Sequence, residues 1–306
     1  MVFNSRLVKA WVSVSLVSLF VYELYWLINS FSNGYSSGFG SLIEAFNLLL
    51  GVHPTSRSTI NILGHAFAEV GLIIRFFGLF LALLSVYMIW GRGKTFLSFR
   101  GKASAAVLLE GLFFLFLFPA AVMLMDSGNN IFALSYFIQI LLTTPFLITL
   151  SYKMRNNGAG SPNTSLLKFF GVAYVGYVAA IWVNNTFSWV YVAGILDSQF
   201  LIAGKTAIGF INVVVVLSLA LVFAMGWFVS LLKRGNNRLT TKLFGLSIAL
   251  LGTYFLIYLI YSAFAAALNA VMLAEIWAIP LLGLGLSLFY KASTIGEDKK
   301  NMKHNV

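Results

Sequence analysis

The stretch from Thr206 to Leu232, TAIGFINVVVVLSLALVFAMGWFVSLL, has no charged side chain, and the basic segment KRGNNR, residues 233–238, follows it directly. About 20 apolar residues are enough to cross the hydrocarbon core of a bilayer as a helix. A basic segment beside such a run is typical of the polar end of a membrane span. The alternation of apolar runs with short basic segments therefore decides the fold.

Seven further runs are predominantly apolar and of similar length. They cover about 8–31, 66–90, 103–125, 130–152, 166–190, 243–264 and 266–290. A single helix over 243–290 would be about 72 Å long at 1.5 Å per residue, too long for one crossing, so the last two runs are separate helices with a turn near Ala265–Ala267. The sequence predicts an all-α polytopic bundle of about eight transmembrane helices.

The composition leaves no room for a soluble domain. The chain is 60% hydrophobic and only 9% charged, whereas soluble domains are about 25% charged. Residues 1–292 are expected to form a single transmembrane domain, and 293–306 a polar cytoplasmic tail. The absence of cysteine excludes disulfides, thiolate catalysis and iron–sulfur clusters.

The basic residues predict the orientation. If the N-terminus is inside, 17 of the 20 lysines and arginines lie in inner segments, Arg57 and Lys205 lie outside, and Arg75 lies within a span. Positive residues are retained on the cytoplasmic side. We expect both termini in the cytoplasm and the protein in the plasma membrane. The net charge of +11 is then explained by the topology and by contacts of basic residues with the lipid bilayer. Nucleic acid is not expected as a partner.

The longest outer segment, residues 32–64, holds a second feature. Ser41, Glu44 and Asn47 recur every three residues beside apolar side chains, which predicts a short interfacial helix near 41–52 with its polar side to water. The same segment is the predicted docking surface if the chain has partner subunits.

Five ionisable residues lie within predicted spans, where such groups are costly and indicate function by default. They are Glu23, Glu69, Arg75, Glu110 and Glu275. Helix rise places the first two and the last in the outer half and Arg75 near the middle. Glu110 lies about 10 Å from the inner end of its helix, alone. At least one glutamate should pair with Arg75, and surplus carboxylates should be protonated or reached by water.

Metal and cofactor sites are not expected. His65 and Glu69 share a helix face at i,i+4, but one such pair is too small a ligand set for a confident metal site. The only other histidines, His53 and His304, are not in spans, so no bis-histidine haem is expected. No phosphate loop and no activated nucleophile is found, which argues against an enzyme.

Three functional hypotheses remain. The first is a small-solute or ion transporter, a permease that uses the five ionisable residues as a binding site or proton relay. The second is a cofactor-free membrane-anchor subunit of a respiratory or electron-transfer complex, linked to cytochrome or quinone. The third is an intramembrane enzyme.

Overall fold

The computed structural model describes residues 6–32, 40–52, 59–92, 100–126, 128, 130–156, 164–195, 211–265 and 277–304. These residues are helical apart from turns, and no strand occurs among them. The helices are α1 (Arg6–Ser32), α2 (Gly40–Leu49), α3 (Thr59–Arg92), α4 (Arg100–Phe116), α5 (Phe118–Asp126), α6 (Asn130–Asn156), α7 (Thr164–Ile195), α8 (Ser218–Arg234), α9 (Arg238–Ala265) and α10 (Ala278–His304); a π-helical segment, Ile211–Leu217, leads directly into α8.

Seven of these helical stretches are long and apolar enough to cross a membrane. They are Arg6–Tyr25, Thr59–Tyr87, Gly101–Asp126, Ala133–Asn156, Ser165–Thr186, Ile211–Arg234 and Arg238–Ile257. Ala278–Ser293 is a shorter apolar helix. The all-α fold predicted from the sequence is therefore confirmed, and the seven apolar helices fit the predicted membrane-protein class. The predicted turn near Ala265–Ala267 lies at the end of α9 and continues into residues outside the described part of the chain.

Helix α3 packs antiparallel to α4 and α5 in a constant register. Along α3, Gly64 faces Met123, Gly71 faces Phe116 and Gly78 faces Leu109. The residue numbers rise along α3 and fall along its partner in steps of seven. The register persists across the break between α4 and α5 at Leu117. Pro119 explains the break, because it lacks the N–H that would bond to the carbonyl of Leu115.

The turn between α8 and α9 has local causes. Gly235 adopts a φ of 67°, which favours glycine, and its N–H bonds to the carbonyl of Leu231 at 3.0 Å. Asn237 Oδ1 then accepts a hydrogen bond from the N–H of Thr240 at 2.9 Å, and the Thr240 hydroxyl accepts one from the N–H of Asn237 at 2.6 Å. This reciprocal pair is an N-cap that starts α9.

Helices α9 and α10 form the closest antiparallel contact. A Cβ on Gly285 would lie 2.3 Å from the backbone nitrogen of Ala249, and one on Gly252 would lie 2.5 Å from the nitrogen of Leu282. Gly245 meets Phe289 and Gly285 in the same way. In the sequence, Gly245, Ala249 and Thr253 recur every four residues, and this stripe of small residues predicts a close helix contact. The structure shows that contact at Gly245 and Ala249.

Gly252 also belongs to this contact, because it follows Gly245 by seven residues, nearly two helical turns. The Thr253 hydroxyl donates to the carbonyl of Ala249 within α9, at 2.9 Å.

Helix α1 contacts both α3 and α10, the last helix described. Towards α3, the indole N–H of Trp90 donates to Ser13 Oγ at 2.7 Å, and the rings of Phe20 and Phe76 lie 4.9 Å apart. Towards α10, the Trp11 ring lies against Gly283. The first and last helices of the chain are therefore neighbours, and α1 lies between α3 and α10.

The short helix predicted near 41–52 is present as α2, and its apolar side chains are its most exposed ones. Ile43 and Phe46 are each 61% exposed and Leu49 is 83% exposed, whereas Glu44 and Asn47 are half-buried. The apolar side is the free one, since α2 contacts α3. Residues 33–39 and 53–58 of the proposed docking segment, 13 of its 33 residues, lie outside the described residues.

Candidate functional site

Three helices bring ionisable side chains together near the middle of α3. The register that sets Gly78 against Leu109 and Gly71 against Phe116 places Arg75 within one turn of Glu110 on α4. Helix α1 passes the same point with Glu23. The glycines allow this approach because they let α3 and α4 pack closely on either side of the long guanidinium.

The three side chains form a charged triad, defined here as Glu23, Arg75 and Glu110. Arg75 Nη1 lies 2.7 Å from Glu23 Oε1, and Arg75 Nε lies 3.3 Å from Glu110 Oε1. Glu23 and Glu110 interact electrostatically with each other through the same site. Two carboxylates therefore share one guanidinium, and with both ionised the triad carries one net negative charge.

Aromatic rings enclose the triad. The guanidinium carbon of Arg75 lies 4.6 Å from the centroid of Phe113, a cation–π distance that stabilises a desolvated cation. Tyr22 on α1 and Tyr177 on α7 both interact electrostatically with Arg75. The Tyr177 ring packs edge-on against Phe114. Helix α7 thus adds a fourth side to the site.

Hydrogen-bonding capacity remains at the centre of the triad. Among the described residues, Glu23 Oε1 and Arg75 Nε are buried and make no hydrogen bond of good geometry, so their close contacts are ion pairs by distance. A guanidinium has five N–H donors and a carboxylate about four acceptor positions. The arrangement can accept a proton, a water molecule or a small polar ligand without breaking an aligned bond.

The predicted pairing of a glutamate with Arg75 is confirmed by Glu23, but the prediction that Glu110 is alone is wrong. The depth argument assumed that all spans begin at one level. In the structure α3 is 34 residues long, more than the roughly 20 residues that one crossing needs, so residue number along each helix does not give depth. The register between α3 and α4 decides the level instead.

The other predicted site residues are not part of the triad. Glu69 lies six residues before Arg75, about 120° around α3 and about 9 Å along its axis. Glu275 lies outside the described residues, as does His53. In the described ranges no group of three or more His, Asp or Glu side chains could hold a metal ion, so His65 and Glu69 gain no further ligand there.

Sequence reasoning missed the aromatic members of the site. Tyr22 could have been suspected because it adjoins Glu23. Tyr177 had no signal, because it is one of several aromatic residues in a span without acidic residues. Phe113 lies three residues after Glu110, and a helix places such residues on neighbouring positions.

Comparison with known proteins adds no assignment: no protein-family model, no curated protein and no solved structure matches the chain.

Proposed function

We propose that the protein is a multi-pass membrane transporter for a small solute or ion, and that the charged triad is its coupling site. The observation that carries the proposal is the sharing of one guanidinium by two carboxylates among apolar helices. An unneutralised charge is expensive in this setting, so the surplus carboxylate must bind a proton or another positive group. Binding and release of that positive charge is the elementary step of coupled transport.

The topology that goes with this function is eight crossings with both termini in the cytoplasm, in the plasma membrane. The distribution of lysine and arginine supports the orientation. The antiparallel contact of Ala278–Ser293 with α9 supports an eighth crossing, because it implies that the chain turns back after α9. About 24 Å of helix in that stretch can nearly cross a hydrocarbon core when its ends snorkel.

Flux measurements on the isolated chain test the proposal. The protein would be reconstituted into liposomes loaded with the pH dye pyranine, and an inward gradient of Na⁺ or K⁺ would be imposed. We expect a change of lumenal pH with the wild-type chain, and its loss to the level of protein-free liposomes in Glu23→Gln and Glu110→Gln. Either substitution removes one negative charge from the triad and with it the surplus.

The matched control is Asp126→Asn, which removes an exposed carboxylate at the end of α5 and should leave the flux unchanged. Absence of flux in the wild-type chain under both gradients would contradict the proposal and favour the hypothesis of a subunit that acts only with partners. Flux that persists in both glutamine variants would contradict the role of the triad.

A further inference from the structure

The two carboxylates of the triad are not equivalent. The Glu23 side chain is 2% accessible and lies 2.7 Å from a terminal nitrogen of Arg75. The Glu110 side chain is 28% accessible and lies 3.3 Å from Nε. Glu23 is thus the close and enclosed counter-ion, and Glu110 is the longer contact with part of its surface open.

The open surface of Glu110 lies inside the bundle. Residues four and seven positions away share a helix face, and Ala103, Phe114 and Leu117, which stand at those spacings from Glu110, are all buried. The exposed large hydrophobic residues of α4, Leu108 and Leu115, lie on the opposite side of the helix. The accessible part of Glu110 therefore faces the interior between the helices and not the lipid.

Among the described residues, the charged and titratable groups around this carboxylate come from α1, α3 and α7. Arg75 contributes the cation from α3, and Glu23 contributes the other acid from α1. Tyr177 on α7 interacts electrostatically with Arg75, Glu110, Tyr22 and Glu23. The phenols of Tyr22 and Tyr177 can each donate a hydrogen bond to a carboxylate or accept one from a carboxylic acid.

From this asymmetry we infer that Glu110 is the carboxylate that takes up and releases the proton, and that Glu23 is the close counter-ion of Arg75. The inference rests on the proposed function and deepens it. Arg75 and Glu23 together are neutral, so the charge of Glu110 is the surplus one. Binding of a proton neutralises it, and release of the proton restores the carboxylate.

Infrared difference spectroscopy assigns the titrating group. The full chain would be reconstituted in lipid and titrated between acidic and alkaline pH, and the C=O stretching band of protonated carboxylic acids would be followed. We expect one band of the wild-type chain to be absent in Glu110→Gln, unchanged in Asp126→Asn, and still present at acidic pH in Glu23→Gln, where Arg75 keeps Glu110 as its one acidic partner among the described residues. Glu110→Asp keeps an acid one methylene shorter, so there the band should shift and not vanish, which assigns it even if Glu110→Gln does not fold.

The possible outcomes separate this inference from the proposed function. A band that is lost in Glu23→Gln and unchanged in both Glu110 variants would overturn the inference. A spectrum in which neither glutamine substitution removes a band would also overturn it. The spectrum needs no transport. If the band belongs to Glu110 but the pyranine assay shows no flux, then the proposed transport fails while the protonation site stands.

Discussion

Two regions of the molecule are held together in opposite ways. The contact between α9 and α10 is made of backbone and small residues, and its sequence contains no charged side chain from Leu243 to Ala265 or from Ala278 to Tyr290. The contact among α1, α3 and α4 instead contains the charged triad, with Arg75 between two glutamates.

This difference shows that stability alone accounts for the residues of one region and not for those of the other. Close packing with small residues stabilises helix pairs in a membrane without polar groups, as α9 and α10 illustrate. Buried ion pairs often stabilise a protein no more than apolar side chains of the same volume. The α9–α10 contact therefore needs no function to account for it, whereas the triad calls for one.

Removal of the cation that the two glutamates share should have the largest effect on the free energy of unfolding. Arg75→Gln leaves Glu23 and Glu110 close together without a counter-charge, and loss of one partner of a buried ion pair costs about 3–5 kcal/mol. We expect a lower free energy of unfolding by that amount, measured by denaturant titration in mixed micelles with tryptophan fluorescence.

The matched control for Arg75 is Arg155→Gln, at an exposed position in the last turn of α6. It should change the free energy of unfolding by less than about 0.5 kcal/mol. Equal stability of the two arginine variants would show that the triad is not a buried ionic unit.

A smaller effect is expected from the other region. Gly285→Ala places a Cβ 2.3 Å from a backbone nitrogen of α9, so the two helices must separate. Overpacking of this kind costs about 1–3 kcal/mol. Gly226→Ala is the matched control, because a Cβ there meets nothing within 4 Å, and its stability in the same titration should be unchanged or higher. A Gly285 variant as stable as the Gly226 variant would contradict close backbone contact between α9 and α10.

The sequence predicted the helical class, most of the spans and the small-residue contact, because each depends on apolar length or on spacing within one helix. It also predicted that Arg75 pairs with a glutamate, because a buried cation needs a partner. It did not predict that Glu110 joins them. That contact depends on the register between two helices, which Gly71 and Gly78 set through packing and not through any pattern along one helix.

The central claim is that the triad is kept for function and not for stability, and the triple variant Glu23→Leu, Arg75→Met, Glu110→Leu tests it most directly. Apolar replacement of a whole buried ionic group is often neutral or stabilising by about 1–4 kcal/mol. We therefore predict a free energy of unfolding equal to or above that of the wild-type chain, together with loss of the pyranine-detected flux. Destabilisation as large as that of Arg75→Gln, or flux that survives without the charges, would contradict the account.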